Sequence, residues 1–260
     1  MSETLTTENG RTVLRMERAL SHPPEKIWRA LTEPSELAGW FPAAVELDLR
    51  LDGRIAFTFD GDPGSESAGV IRAYDPPRLL EYNWGTEIQR WELTPTTDGC
   101  LLKLTATYDD RPGSASFTAG WTRCLDALDR TLGGSTATRE SYAKLHEHFI
   151  KTYALDQGER LDDGSIHFER QLTAPKEQAW GRLKGLVAEG IEAGRVLTVD
   201  EPVELSYEWQ HGVVRWQLRD GNGGARLQLT QTGPAEQFLG SWRDLIEELA
   251  ADLAALHVDG

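Results

Sequence analysis

Cysteine is nearly absent from this sequence, with Cys100 and Cys124 the only two in 260 residues. That excludes a disulfide framework; one falls in a predicted strand and the other in a predicted helix, where both read as small buried hydrophobes. No apolar run reaches the length of a membrane span, and the N-terminal MSETLTTENGRT lacks the basic and apolar regions of a signal peptide, so the expected location is cytoplasmic. Positive charge is scarce too: 27 Lys and Arg against 42 Asp and Glu give a net charge of −15. Nucleic acid and anionic membrane are therefore poor partners, since both demand a basic surface.

Signatures of chemistry are also missing. The sequence contains no G-x-S-x-G, G-x-x-x-x-G-K, G-x-G-x-x-G or C-x-x-C motif, so no catalytic residue, cofactor or metal is expected. His146 and His148 stand two apart on a predicted helix and point away from each other, which reads as surface histidines rather than a metal pair. Asp60, Asp62 and Glu66 in FDGDPGSE lack the regular spacing of a calcium loop and read as a hairpin turn. Asp109 and Asp110 read as a solvated strand-to-helix connection.

What the sequence does have is tryptophan, nine of them, and eight fall into four pairs. EYNWGTEIQRWEL (81–93) returns as SYEWQHGVVRWQL (206–218). At an offset of 125, residues 68–107 match 193–232 at fifteen of forty positions without a gap. Upstream the offset is 152, pairing Glu17, Arg18, Pro23 and Trp28 with Glu169, Arg170, Pro175 and Trp180. Downstream it is 121, where FTAGWTRCLDALDRTL answers FLGSWRDLIEELAADL. The chain is an internal duplication whose second copy lacks 27 residues, between the counterparts of Leu31 and Ala68. The unpaired tryptophan, Trp40, lies in the missing segment.

Each copy reads as α+β. RTVLRMERAL alternates as a strand; SHPPEKIWRAL follows as a helix with Ser21 as the expected N-cap, and Thr173 and Pro175 take the same places in copy two. VELDLRL, RIAFTFDG, AGVIRAYD, RLLEYNW, IQRWELT and LLKLTATY then read as six strands. A long amphipathic helix closes each copy, carrying Trp121, Cys124, Leu125, Leu128 and Leu132 in the first and Trp242, Leu245, Ile246, Leu249 and Leu253 in the second. Arg90 and Arg215 alternate away from Trp91 and its twin, hence outward, toward pairing with Glu92, Glu81 or their counterparts. Between the copies, Tyr142, Leu145, Phe149 and Tyr153 form one helical stripe, read as docking on its own domain in preference to a lid or partner surface.

HPPEKIWRALTEPSELAGWF, AGVIRAYDPPRLLEYNW and GWTRCLDALDRTL, in that order, resemble the SRPBCC (START-like) superfamily, and within it the group of homologues of the activator of the heat-shock-protein-90 ATPase. The resemblance implies a tandem helix-grip fold, each domain a curved antiparallel sheet wrapped around a long C-terminal helix. It divides the chain into a complete domain (1–135), a helical linker or extension of that domain (136–160) and a shortened second domain (161–260) without two strands. Such folds often hold apolar ligands, and members also serve as chaperone partners or enzymes.

The candidate cavity residues of domain one are Trp40, Phe41, Phe57, Phe59, Tyr82, Trp84, Trp91 and Trp121. Repetition of Trp84 and Trp91 in the truncated copy assigns those two to the core; for Trp40, Phe41, Phe57 and Phe59, core and pocket readings stay level. The leading functional expectation is a non-enzymatic protein holding a small apolar ligand in domain one. The alternative is a protein-interaction module, chaperone-like or self-associating, without a ligand, and the third is a cyclase-like or hydrolase-like enzyme. The unrepeated segment from Trp40 to Phe59 is where a function private to domain one is expected.

Overall fold

The computed structural model describes residues 2–59, 67–133, 140–190, 194–210 and 212–256. The turn with Asp60, Asp62 and Glu66 lies outside the described residues. Two compact units emerge: Met1–Arg111 with Gly120–Arg139, and Pro112–Ala119 with Glu140–Gly260. Among the described residues no helix is long and apolar enough to cross a membrane.

The first unit contains β1 (Ser2–Glu8), β2 (Arg11–Leu20), α1 (Pro24–Thr32), α2 (Pro34–Leu37), β3 (Ala43–Leu47), β4 (Arg54–Phe59), β5 (Ser67–Asp75), β6 (Leu79–Trp84), β7 (Glu87–Thr96) and β8 (Gly99–Tyr108). The long helix α3 (Ser114–Thr131) follows. Its strands form one antiparallel sheet in the order β1-β2-β8-β7-β6-β5-β4-β3. Alternation decides which face is buried: along β8, Cys100, Leu102, Leu104, Ala106 and Tyr108 are buried and the residues between them are not. The cross-strand register aligns the inner face in rows. One row runs Tyr82, Gln89, Ala106, Leu14; the next runs Leu80, Trp91, Leu104, Met16; a third runs Leu93, Leu102, Arg18.

The second unit contains α4 (Tyr142–Thr152), β9 (Glu159–Arg160), β10 (Ile166–Gln171), α5 (Lys176–Gly190), β11 (Val196–Asp200), β12 (Glu204–Trp209), β13 (Gly212–Gly221), β14 (Gly224–Gln231) and α6 (Leu239–Ala255). Its sheet order, β11-β12-β13-β14-β10-β9, is that of the first sheet with β4 and β3 missing. The rows repeat in register: Tyr207, Val214, Gln231, Ile166; then Leu205, Trp216, Leu229, Phe168; then Leu218, Leu227, Arg170. The matched glycines also share a cause. A Cβ on Gly69 would lie 1.6 Å from the Asn83 carbonyl oxygen, and one on Gly194 would lie 2.7 Å from that of Glu208, the same approach in both copies. Both sheets and their helices make the α+β, helix-grip plan.

Four expectations need correction. Ser21 does not cap α1; Pro23 is the N-cap, its carbonyl accepting the Lys26 and Ile27 amides, and the Ala179 amide donates likewise to Pro175. Pro24 at N1 has no N–H to satisfy, so a side-chain cap has less to do. The strand expected at 45–51 ends at Leu47, because Asp52 takes φ 62° in the turn back to β4. β1 was not expected at all: it is exposed along much of its length and offers no apolar face. Cys100 is buried as expected, but Cys124 is only half-buried.

The helix expected at the linker stripe is α4, which lies in the second unit, with Leu145, Phe149 and Ile150 packed against Ala115 and Ala119.

Candidate functional site

All eight sequence-named aromatics come together in the first unit. Phe57 stacks on Trp84 with ring centroids 4.2 Å apart, and Phe59 stacks on the same indole at 5.7 Å. Phe41 touches Trp40, Phe57, Trp84 and Trp121 at 5.5–6.2 Å. Trp91 meets Trp40 and Trp121 edge-on, and Tyr82 packs on Phe57. Each such pair contributes roughly 0.5–1.5 kcal/mol beyond the area it buries. Trp40 is further fixed by its indole N–H, which donates to the Ala30 carbonyl at 2.8 Å.

Between these rings and the aliphatic side chains of α1, α2, β3 and β4 lies a cavity of about 20 Å³, bounded by Leu31, Leu37, Trp40, Phe41, Phe57 and Tyr82 among others. That is space for about one water molecule. A drug-sized ligand takes roughly 300 Å³ or more, so the rings themselves fill the place where a ligand would sit. A larger void in the second unit, about 380 Å³, is an open trough beside the start of α5, with Lys176, Glu177 and Asp220 on its walls and no aromatic ring.

Comparison of the copies sorts the aromatics. Trp91 Nε1 donates to the Tyr82 hydroxyl at 3.3 Å, and Trp216 Nε1 donates to Tyr207 at 3.2 Å, so this bond is part of the shared scaffold. Burial raises both phenols, Tyr207 up to about 12. The contacts of Trp84 differ: Phe57 and Phe59 of β4 both stack on it, whereas Trp209 leans on Phe238 and Trp242. Arg90 sits as expected, outside, bonded to Glu81 and Glu92 at 3.0 and 3.2 Å.

Sequence reasoning passed over two polar residues on the same inner face, Glu87 and Gln89. Gln89 is buried directly opposite Tyr82. Its amide donates to Glu87 Oε2 at 3.3 Å, while its Oε1 has no partner. An enclosed acceptor left unmet costs roughly 1–3 kcal/mol. Burial pushes the Glu87 carboxyl up, and the bond from Gln89 pulls against that. The signal was available: Glu87 and Gln89 alternate in phase with Trp91, and their counterparts in the copy are Gly212 and Val214.

The second unit holds a buried charge cluster instead. Arg170 donates to Glu247 at 2.8 and 3.2 Å, to Glu147 at 2.5 Å and to the Gln171 carbonyl at 2.6 Å. His146, expected at the surface, is fully buried; its Nδ1 lies 3.0 Å from Glu147 Oε1 and its Nε2 has no partner. It is buried because α4 turns its His146 side, with Leu145 and Phe149, inward, leaving His148 outside. Desolvation lowers the imidazole pKa against the pull of Glu147, so the ring is neutral and donates through Nδ1. Burial raises Glu147, but the bond from His146 and the charge and bond of Arg170 outweigh it and hold the carboxyl at about 2. Among the described residues no group of three or more His, Cys, Asp or Glu side chains is placed to hold a metal ion.

Residues 21–133 match the family model described as Activator of Hsp90 ATPase homolog 1-like protein. Among solved structures, a conserved protein of unknown function from Enterococcus faecalis is similar with a TM-score of 0.52 and 23% identity, over 58% of this chain and 90% of its own. The AHSA1-like protein from Aeromonas hydrophila aligns with a TM-score of 0.42 and 19% identity, over 48% of this chain and 97% of its own. The first likeness shows the fold. No curated protein matches this chain.

Proposed function

We propose that the first unit, whose residues 21–133 match the family model described as Activator of Hsp90 ATPase homolog 1-like protein, is a non-enzymatic receptor for a small apolar ligand, seated among the rings between the sheet and α3. One observation carries this reading: the aromatic cavity is walled on one side by Trp40, Phe41, Val45, Ile55 and Phe57, all from the segment the second copy lacks. A core aromatic needed only to hold the fold would be needed twice. Here the shared Tyr–Trp pair occurs in both sheets, and the unshared Trp40, Phe41 and Phe57 line the small cavity.

The cavity as it stands holds a water and no more, so binding requires Phe41 and Phe57 to move aside. The surroundings permit that. α2 has four residues, and β3 is an edge strand held on one side only, by β4.

Native mass spectrometry of the freshly purified full chain, with tryptophan-fluorescence titration against fatty acids, flavonoids and polyketide-like aromatics, tests the proposal. A retained mass, or saturable quenching by one of these classes, supports it. No bound mass and no quenching by any of them sinks it.

A second reading is favoured by one feature of the second unit. Loss of the β3–β4 pair leaves β11 at the sheet edge, exposed along its length, with Val196, Leu197 and Val199 open to solvent. Such an edge accepts a further strand, so a protein partner, chaperone-like or a second copy of this chain, would add to it by strand pairing. Val199→Lys would abolish that association while leaving ligand binding by the first unit intact; association that survives the substitution counts against the edge.

A further inference from the structure

The two inner faces each carry one glutamine in the same row, but on neighbouring strands. In the second unit it is Gln231 on β14, and its Oε1 accepts the Trp242 indole N–H from α6 at 2.5 Å. In the first unit the β14 position is Ala106, and the glutamine sits one strand over as Gln89. Gln89 is enclosed, its nitrogen is taken up by Glu87, and its carbonyl oxygen is left without a donor. Val214 at the matching position of the copy shows that this scaffold accepts an apolar side chain there. A buried, half-satisfied amide is therefore not what the fold requires.

Position supplies the rest. The cross-strand partner of Gln89 is Tyr82, and Trp91 follows it on the same face of β7; both line the cavity. We propose that Gln89 Oε1 is the acceptor for a hydroxyl or N–H group on the apolar ligand, which makes the ligand class an aromatic or alicyclic body with a hydrogen-bond donor at one end. The proposal rests on the reading of the first unit as a ligand receptor and adds to it a polar end. Nε2 already gives one of its two N–H groups to Glu87, whereas Oε1 is the amide atom with no partner at all. Ketones, ethers and carboxylates would set lone pair against lone pair, so the site discriminates by donor as well as by shape.

Equilibrium dialysis of the full chain against 2-naphthol and estrone, each alongside its O-methyl ether, reads the preference directly. The wild type is expected to bind each phenol about tenfold more tightly than its ether, in line with one buried hydrogen bond. Gln89→Val, patterned on the copy, is expected to lower phenol affinity and, by removing the opposed lone pairs, to raise ether affinity, so that the two meet. Gln89→Met, closer in length, should do the same, which guards against a packing defect in either variant. Equal binding of phenol and ether by the wild type, or a preference that survives both substitutions, overturns the role of Gln89 while the receptor reading stands. Binding of none of the four compounds overturns both.

Discussion

Arg18 and Arg170 occupy the same place in the duplicated sequence, on the same inner row of their sheets, yet the structure predicts unequal outcomes when each is replaced by methionine. Arg170 makes four hydrogen bonds, and its two acidic partners, Glu147 and Glu247, are themselves mostly shielded, with 26% and 18% of their side chains exposed. Removing the guanidinium leaves Glu147 beside only the neutral His146 and leaves Glu247 with Lys151 alone, at 2.8 Å, and breaking a buried pair in this way costs about 3–5 kcal/mol. Arg18 bonds Glu3 at 2.8 Å and the Glu17 carbonyl at 3.0 Å, while its Nε and Nη2 have no partner. Methionine there removes two enclosed, unmet donors and frees a single carboxylate, Glu3, with 19% of its side chain exposed; the two effects offset to within about 1 kcal/mol.

Peptide-resolved hydrogen exchange reads the two units separately. At about 1.4 kcal/mol per tenfold, Arg170→Met should lower protection of β10, β14 and α6 by at least a hundredfold, while Arg18→Met leaves β2, β8 and α3 within about fivefold of the wild type. Equal losses in the two units, or a larger one for Arg18, would refute the argument that satisfied bonds rather than burial decide the cost.

Acid should weaken the second unit in two stages. His146 is held neutral, so below about pH 6.5 the unfolded chain takes up a proton that the fold refuses, and stability falls. Glu147 contributes above its unfolded value of 4.5, and that contribution, up to about 3 kcal/mol, is lost as pH falls toward about 2. Urea midpoints of the second unit from pH 8 to 3 should show both stages, and His146→Gln should remove only the first. Phe57→Ala, which deletes a ring that is 1% exposed, should cost the first unit about 3–5 kcal/mol in chemical denaturation and increase uptake of naphthalene by the enlarged cavity. Gly10→Val should cost about 1–2 kcal/mol, read as lost protection of β1 alone, because φ is 78° there and a Cβ would meet nothing within 4 Å.

That the two sheets share one register was legible before any coordinates, since an ungapped offset of 125 over 68–107 leaves no slip between the copies; the pairs themselves, Gln89 with Ala106 as Val214 with Gln231, were not. The aromatic set was legible for the same reason, because rings at alternate positions share a face. β1 was not, because half-exposed Thr and Glu carry no hydrophobic period. Its one signal was Asn9-Gly10, whose φ values of 50° and 78° make the two-residue turn that this dipeptide favours between paired strands. His146 was misplaced because a helical stripe drawn from apolar residues alone leaves out a histidine on its flank. The closure of the cavity could not be read from sequence, since whether eight rings fill a space or frame one depends on ångström-scale packing.

The duplication acts as an internal control on what each residue is for. The Tyr–Trp bond, the glycine at the β5–β6 approach and the inward arginine occur in both units, so the fold accounts for them. The rings of β4 and the glutamine of β7 occur once, on adjoining parts of one inner face, and each departs from what the second unit shows to be sufficient. Where rings are closely packed, an unmet carbonyl beside them is a cost that tighter packing cannot remove; only a donor can. Phe57 lines the void, and Gln89 stands opposite Tyr82, which lines it too, so the two departures share one neighbour on the inner face. On the proposed reading of the first unit, the bond between Gln89 and Glu87 would already orient the polar end that a donor-bearing apolar ligand meets.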